Sequence, residues 1–405
     1  MKEKYSVRWP HAAAGVAIMI LIGAIYAWSY LKVALEQVFP VWSEKQITLN
    51  FTLMMCVFCL GGVLAGRLAG WISRPVLVAI SGTLMGIGFL GVSFLPQDNP
   101  TLALILMYIL YAGFTGLGSG IAFNAVLSAV QPWFPDRSGL ISGLMLMGLS
   151  FGTLLIGNAA AVLIEVIGLF PTFRVLAAAD FIVLVVLSPL IRLTGERDRI
   201  PAAPPEKRHM AVARDYSTKE MLMTSTFWLY FCWNVCNAAG GQLVINSASS
   251  IAVYYGAAAT VGLLVSVFNG CGRLISGWLM DRLAWKHVLL VVNLVMLTGG
   301  ILMLAADRIG LRFPVLCGMM LLGLTYGAGI SISSTLIRRL YGNAHYSTNF
   351  ALANLVSIPA SLIGPMISAA LQDASSGYTT TFLMTIAIGC IALAANIVIR
   401  PPSAR

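Results

Sequence analysis

The feature that most constrains the fold is a series of apolar runs, each about 20 residues long, that follow one another along the whole chain. A run of this length spans a bilayer as a helix, because the helix satisfies every backbone polar group internally. The runs lie at 12–33, 47–69, 75–95, 102–130, 139–164, 173–192, 223–249, 257–280, 288–306, 313–336, 347–371 and 378–399. Only 10% of residues are charged, against about 25% in soluble domains, which excludes a water-soluble globule. The sequence therefore predicts an all-α membrane protein with twelve transmembrane helices.

The basic residues predict how the chain is oriented. Of the 25 lysines and arginines, 19 fall on the side of the termini, five fall on the other side, and Arg273 lies within a run. Cytoplasmic loops carry the excess of Lys and Arg, so both termini are expected in the cytoplasm. Topology thus explains the net charge of +10 without a nucleic-acid partner. The apolar part of the N-terminus exceeds the 7 to about 15 residues of a cleaved signal peptide, so we expect a retained first span.

A polar stretch between the sixth and seventh runs divides the chain into two halves. It is rich in Pro, Ala and charge, which is typical of a cytoplasmic linker with little fixed structure. We predict a six-helix bundle over 1–192, the linker over 193–222 and a second six-helix bundle over 223–405.

The two halves share a matching segment. "GGVLAGRLAGWISRPVLV" from Gly61 resembles "SGWLMDRLAWKHVLLVV" from Ser276, and Gly62 aligns with Gly277. Each copy closes the second span of its half, which indicates a duplicated six-helix unit of the kind many transporters use.

Four segments resemble the major facilitator superfamily. "GWLMDRLAWK" from Gly277 is similar to its G-x-x-x-D-R-x-G-R-K loop, although Ala284 and Trp285 depart from that pattern. "QPWFPDRSGLISG" from Gln131 resembles a W-F-P-[DE]-[KR]-R-G-x-A-x-G segment of the oxalate:formate antiporter and monocarboxylate transporter branch. "FNGCGR" and "SGIAFN" resemble its eighth and fourth helices. The resemblance implies two pseudo-symmetric six-helix bundles with a substrate site between them, in a bacterial inner membrane.

Arg273 is the candidate binding residue. A bare cation at the bilayer centre costs roughly 2.5 to 3.5 kcal/mol, so it must face a watery cavity or an anion. A guanidinium stays charged and grips a carboxylate with two hydrogen bonds, which favours a transported carboxylate as its ligand. Asn269, one turn earlier on the same face, would orient the guanidinium or contact the substrate. The alternative is an internal salt bridge, for which Asp180 is the only carboxylate well inside a span.

The number of basic residues within the spans limits the charge that the substrate can carry. The resemblance implies a second cation, a lysine, in the eleventh helix of oxalate carriers. Here that place falls near Ser357, and the run 347–371 holds no Lys or Arg. A dianion facing one cation would leave an unpaired buried charge, which is costly. A monoanion such as lactate or pyruvate is therefore expected, bound by a chain that acts as a monomer.

Uncharged side chains should form the rest of the pocket. The resemblance places Tyr26 and Tyr326 where the family lines its cavity with aromatic rings, which offer both a stacking face and a hydroxyl. Gln242, Asn246 and Ser119 are polar residues within spans, and each would contact a hydroxy group of the substrate. Each of these three would equally well bond another helix instead.

Gating and coupling complete the expected mechanism. Gly277, Asp281 and Arg282 would close the cytoplasmic side in one state and release it in the other, unless they serve only the loop and the topology. Related carriers couple through a lysine in the first helix and an aspartate one turn before the arginine. Here the second place is Asn269, which cannot titrate, and Asp180 is a further candidate. Proton symport and anion exchange both stay open.

Other functional classes fit the residues less well. Antiport of a dicarboxylate such as oxalate needs a second cation, and drug efflux favours an acidic site. The doubled six-span plan argues against a receptor or a channel. The four histidines lie on the cytoplasmic side with no paired acid or nucleophile, which argues against an enzyme. The seven cysteines fall in apolar runs without ligand partners, so we expect neither a metal nor another cofactor.

Overall fold

The computed structural model describes residues 8–194, 215–245, 248–360 and 377–402. Within these ranges every regular element is a helix. The predicted all-α membrane fold is confirmed. Eight helices are long and apolar enough to cross a membrane in the part of the chain that the structure describes. The four other runs are also helical where they are described.

The first half contains eight α-helices and four short helical segments of other kinds, three of them 3-10 and one π. The α-helices are α1 (Trp9–Ile22), α2 (Trp28–Val38), α3 (Glu44–Leu68), α4 (Arg74–Val92), α5 (Pro100–Met107), α6 (Gly116–Val130), α7 (Ser138–Ile167) and α8 (Leu169–Leu187). The 3-10 turns are Gln131–Trp133 after α6 and Ser188–Leu190 after α8, and a third 3-10 segment separates α1 from α2.

The second half contains eight further α-helices in its described ranges. They are α9 (Thr218–Leu222), α10 (Ser225–Ile245), α11 (Ala248–Tyr254), α12 (Ala259–Arg282), α13 (Trp285–Ile309), α14 (Arg312–Tyr341), α15 (Tyr346–Ala353) and α16 (Thr379–Val398). A 3-10 turn, Asn354–Val356, follows α15.

Local sequence accounts for where several helices begin and end. The Ser43 hydroxyl accepts a hydrogen bond from the Gln46 N–H at 3.3 Å, and the Gln46 side chain accepts one from the Ser43 N–H at 2.8 Å, which is a capping box. Proline fits the first turn of α5, since the missing N–H has no helical partner there. α13 ends at Gly310, whose φ of 70° is a left-handed conformation that favours glycine.

Two spans of the first half are irregular at mid-length. Residues Gly23–Ala27 form a 3-10 segment between α1 and α2, and Tyr108–Thr115 form a π-helix between α5 and α6. The hydropathy runs predicted continuous spans at both places, because an apolar pattern does not distinguish α, 3-10 and π hydrogen bonding. Short 3-10 and π segments within helices frequently mark functional sites.

The chain separates into two compact units. The first unit comprises Met1–Asp136 and Gly148–Ala203, and the second comprises Arg137–Met147 and Pro204–Arg405. The start of α7 thus packs with the second unit although the rest of α7 belongs to the first. Most of the predicted linker, 195–214, lies outside the described residues.

The described end of the linker is ordered. Ser217 and Glu220 form a capping box that starts α9. Asp215 accepts hydrogen bonds through Oδ1 from the backbone N–H groups of Asn343, at 2.7 Å, and Ala344, at 3.2 Å. These bonds tie the linker to the turn between α14 and α15.

Candidate functional site

Arg273 lies in α12 and is almost fully enclosed, with 6% of its surface exposed. Its Nε donates a hydrogen bond to Asn269 Oδ1 at 3.3 Å, one helical turn earlier. Its Nη1 donates to the backbone carbonyl of Leu146 at 2.8 Å. Both of these acceptors are neutral oxygens, and they orient the guanidinium through hydrogen bonds.

Glycines bring neighbouring helices close to this arginine. A Cβ at Gly143, in the part of α7 that belongs to the second unit, would lie 2.5 Å from the Arg273 carbonyl oxygen. A Cβ at Gly327 in α14 would collide with the Asn269 carbonyl oxygen and lie 2.7 Å from Asn269 Oδ1. A side chain at either position would force the backbones apart. The glycines therefore hold α7 and α14 against the segment that carries Asn269 and Arg273.

The stretch "GLTYGAG" in α14 is contacted by amide side chains from α10. Asn237 Nδ2 donates to the Thr325 carbonyl at 2.9 Å, and Gln242 Nε2 donates to the Tyr326 hydroxyl at 3.3 Å. A Cβ at Gly329 would lie 2.6 Å from Asn234 Oδ1. The structure thus brings two predicted pocket residues, Gln242 and Tyr326, into direct contact.

The Tyr326 ring is half-buried against a cluster of small side chains. Ala238, Ala239 and Ala360 form this cluster, and Tyr326 packs on it. Gly241 makes room for the ring, since a Cβ there would lie 2.5 Å from the Tyr326 Cβ. Because the Tyr326 oxygen accepts from Gln242, its O–H is left to donate. The ring therefore offers an apolar face and a hydrogen-bond donor.

The remaining predicted lining residues differ in placement. Ser119 is completely buried, and its hydroxyl donates to the backbone carbonyls of Thr115 at 2.8 Å and Gly116 at 3.0 Å in its own helix. The proposed site therefore does not include Ser119. Ser357 is half-buried and follows the 3-10 turn after α15. The backbone of Tyr26 lies in the 3-10 segment of the first span, whereas its side chain and all of Asn246 lie outside the described residues.

Asp281 caps the start of α7. Its Oδ1 accepts from the Gly139 N–H at 3.0 Å, and its Oδ2 accepts from the Leu140 N–H at 2.8 Å. A carboxylate at a helix N-terminus is stabilised by the unpaired N–H groups and the helix dipole. The backbones also touch, because a Cβ at Gly277 would collide with the Gly139 carbonyl oxygen.

The ion pair of Asp281 is made with Arg339 and not with Arg282. Arg339 Nη2 lies 3.4 Å from Asp281 Oδ1. The guanidinium of Arg282 instead lies 4.2 Å from the centroid of the Trp278 ring, a cation–π contact. Sequence reasoning missed Arg339, which it assigned to topology alone. An arginine pair at the end of the tenth span was the available signal.

Asn234 and Asn237 were also missed. They are buried amides on α10, three residues apart, in the stretch "WNVCNAAGGQ". Two amides on one face of a span, ahead of a glycine pair, were the signal in the sequence. Asp180, which was predicted as a coupling residue, lies in α8 of the first unit and is 1% exposed.

Comparison with known proteins places this chain in a family. The sequence profile of the Major Facilitator Superfamily matches residues 11–357 and 230–405. The chain belongs to the Major Facilitator Superfamily. Its proteins are membrane transporters and not enzymes.

Two relatives of this chain are named as transporters of organic acids. The oxalate:formate antiporter of Oxalobacter formigenes is 22% identical over 393 residues, 96% of this chain and 90% of the relative. Monocarboxylate transporter 10 of Danio rerio is 25% identical over 76% of this chain and 60% of the relative. The proton:xylose symporter XylE shares the fold, with a TM-score of 0.72, 16% identity and coverage of 98% of this chain and 96% of that chain. These matches confirm the resemblance that the sequence motifs indicated.

Proposed function

We propose that this superfamily member is a secondary active transporter of small monocarboxylates resembling lactate or pyruvate. The observation that carries the proposal is the Arg273 guanidinium, buried within a span and oriented by two neutral oxygens. A permanent positive charge in this position attracts an anion, and its planar fork matches a carboxylate. Burial strengthens the attraction because the dielectric constant is low there.

Neutral groups would bind the rest of the substrate. Asn269 contacts the backbone at Gly327, which directly follows Tyr326 in α14. Arg273 is therefore linked to the region of the Tyr326 ring by only two contacts, both made by Asn269. The Tyr326 O–H is positioned by Gln242 to donate to a substrate oxygen, and the ring would cover a small apolar body. These features suit a short acid with one carboxylate and one neutral oxygen.

The absence of a second basic residue in the eleventh span supports a monoanion. Ser357 is a neutral, half-buried residue where the relatives that carry oxalate are expected to have a lysine. An oxalate dianion would keep one negative charge unpaired in a site of low dielectric constant, which is costly. Lactate or pyruvate would be neutralised by Arg273 alone.

Asp281 and Gly277 would gate the transport cycle. Asp281 holds the first N–H groups of α7, and Gly277 allows the backbones to touch. We propose that these contacts form in one state of alternating access and break in another. Each hydrogen bond to a charged group is worth about 1.5 to 3 kcal/mol, enough to bias such an equilibrium.

An anion exchanger of the oxalate:formate kind is the second candidate. It is favoured by the relative that matches almost the whole chain. Asn269 also lacks the titratable group that the proton-coupled relatives are expected to have at this position. We favour proton symport, because the first unit holds a buried carboxyl, Asp180, that can carry a proton.

Uptake of labelled acids into proteoliposomes tests the substrate and the coupling. We expect lactate or pyruvate to enter at least about tenfold faster than oxalate, equivalent to about 1.4 kcal/mol. An inward proton gradient should raise their accumulation. Protein-free liposomes are the control. Rapid oxalate uptake that depends on internal formate and ignores the proton gradient would instead establish the exchanger.

We further propose that the protein is a monomer in the bacterial inner membrane with both termini in the cytoplasm. The excess of Lys and Arg on the side of the termini supports this orientation. A fluorescent protein that folds only in the cytoplasm, fused after Arg405, should fluoresce. A fusion protein that is expressed at normal levels but does not fluoresce would indicate the opposite orientation. Light scattering of the purified protein in detergent measures its mass and tests whether it is a monomer.

A further inference from the structure

The side chain of Asp180 is buried without full hydrogen bonding. The residue is 1% exposed and lies on the buried face of α8. Among the described residues, its Oδ2 has no hydrogen-bond partner and is closed to solvent. An ionised carboxylate without donors is very unfavourable in such a place, whereas a neutral carboxylic acid is tolerated.

The helix packing around Asp180 leaves little room for water. α4 closes against α8 through two glycines. A Cβ at Gly82 would lie 3.4 Å from the Asp180 carbonyl oxygen and 2.8 Å from the Leu184 Cβ. A Cβ at Gly86 would lie 3.5 Å from the Ala177 carbonyl oxygen. Since neither glycine has space for a methyl group without contact, the backbone on both sides of Asp180 is tightly covered.

One tyrosine in the irregular part of the fourth span interacts electrostatically with the acid. Tyr111 lies in the π-helix, is fully buried, and interacts electrostatically with Asp180. Its hydroxyl donates to the Ile25 carbonyl at 3.4 Å, within the 3-10 segment of the first span. The Thr115 hydroxyl, at the end of the same π-helix, is also buried without a partner in the described part of the chain. The tyrosine that interacts with Asp180 thus belongs to one irregular segment of this unit and is hydrogen-bonded to the other.

The other charged groups on helices that pack with α8 have partners elsewhere. Lys32 on α2 lies 3.6 Å from Glu36 of the same helix. His11 on α1 bonds the Leu190 carbonyl at 2.5 Å, and Arg174 on α8 donates to Ser93 at 3.3 Å. The buried face of α4 carries no titratable residue. Tyr111 is accordingly the described neighbour whose removal is the most direct way to change the surroundings of the acid.

We propose that Asp180 is a proton-binding site in the first unit and that it carries the proton that accompanies the anion. The proposal deepens the proposed function and rests on it for the coupling. The step is a simple ionisation. The carboxyl O–H bond breaks and the proton passes to water of one compartment. A proton from the other compartment then restores the acid. The π-helix and the 3-10 segment are the places where the backbone can rearrange to admit that water.

Infrared spectroscopy of the purified protein tests the protonated acid directly. We expect a carbonyl band of a protonated carboxylic acid at neutral pH that disappears in Asp180→Asn. Asp98→Asn is the matched control, because Asp98 is exposed in the loop before α5. If Asp180→Asn does not fold, Tyr111→Phe removes the neighbouring hydroxyl, and the band should shift. A band that is unchanged in the folded variant would overturn the site.

A transport assay distinguishes a failure of this proposal from a failure of the proposed function. Two rates are compared in Asp180→Asn: accumulation of the acid driven by a proton gradient, and counterflow, which is exchange of labelled for unlabelled acid without a gradient. The ratio of the first to the second should fall at least about tenfold relative to the native chain. Asp98→Asn should keep the native ratio. If the native protein transports no carboxylate, the proposed function fails, yet the infrared result still decides whether Asp180 holds a proton. A native ratio in folded Asp180→Asn would overturn the coupling role.

Discussion

Replacing Arg273 with lysine is expected to lower the uptake of the transported acid about 100-fold, equivalent to about 2.7 kcal/mol of lost binding in the transport cycle. The planar guanidinium donates to Asn269 and Leu146 at once, from N–H groups held in a fixed fork. A lysine ammonium is a single point charge that cannot reproduce this planar geometry. The measurement is the initial rate of uptake into proteoliposomes.

The control for this substitution is Arg174→Lys. Arg174 lies in the first unit, is exposed, and bonds Ser93. It should transport at the native rate. Thermal unfolding in detergent, with and without substrate, separates binding from folding: Arg273→Lys should stay folded and lose the stabilisation by substrate. A folded Arg273→Lys variant with native uptake would leave Arg273 with only a structural role.

Gly277→Ala is expected to reduce uptake at least about tenfold by excluding the close contact between α12 and α7. The added methyl group would collide with the backbone carbonyl of Gly139 and lie 3.1 Å from the Ser331 hydroxyl. A backbone atom cannot turn aside as a side chain can. The collision would therefore separate Asp281 from the N–H groups of Gly139 and Leu140 and disfavour the state that these bonds stabilise.

The internal repeat supplies a matched control for Gly277. Gly62 occupies the equivalent place in the first half, and a Cβ there would meet only the Gly120 carbonyl oxygen, at 3.8 Å. Both glycines are helical, so Ala changes helix propensity equally at the two positions. Gly62→Ala should keep native uptake. Equal uptake by the two variants would contradict a gating role for the close contact at Gly277.

The spans and the superfamily were predictable from the sequence because they depend on local composition and contiguous motifs. Apolar runs long enough to cross a bilayer specify helices whatever their neighbours are. The segments near Gln131 and Gly277 carry the family pattern within a few residues. Arg273 stood out for the same reason, since one charge in an apolar run is visible without any knowledge of packing.

Pairing between distant segments required the tertiary structure. Asp281 was predicted to act with Gly277 and Arg282 at the cytoplasmic side, and its contacts include Arg339 and the start of α7, 58 and about 140 residues away along the chain. Ser119 is polar in sequence but bonds its own helix, because a serine hydroxyl can reach the carbonyl one turn earlier. Hydropathy reports whether a residue lies within a span but not which way its side chain points.

The sequence by itself thus determined the class of protein, its all-α membrane fold and the one deep cation, since each of these follows from transfer of side chains and backbone between water and lipid. Only the tertiary structure decided that neutral oxygens orient Arg273, that Gln242 meets Tyr326, and that Asp180 is sealed between α4 and α8. Such contacts depend on the rotation and separation of packed helices. Those are set by small residues such as Gly82 and Gly327, whose effect exists only when a second helix is present.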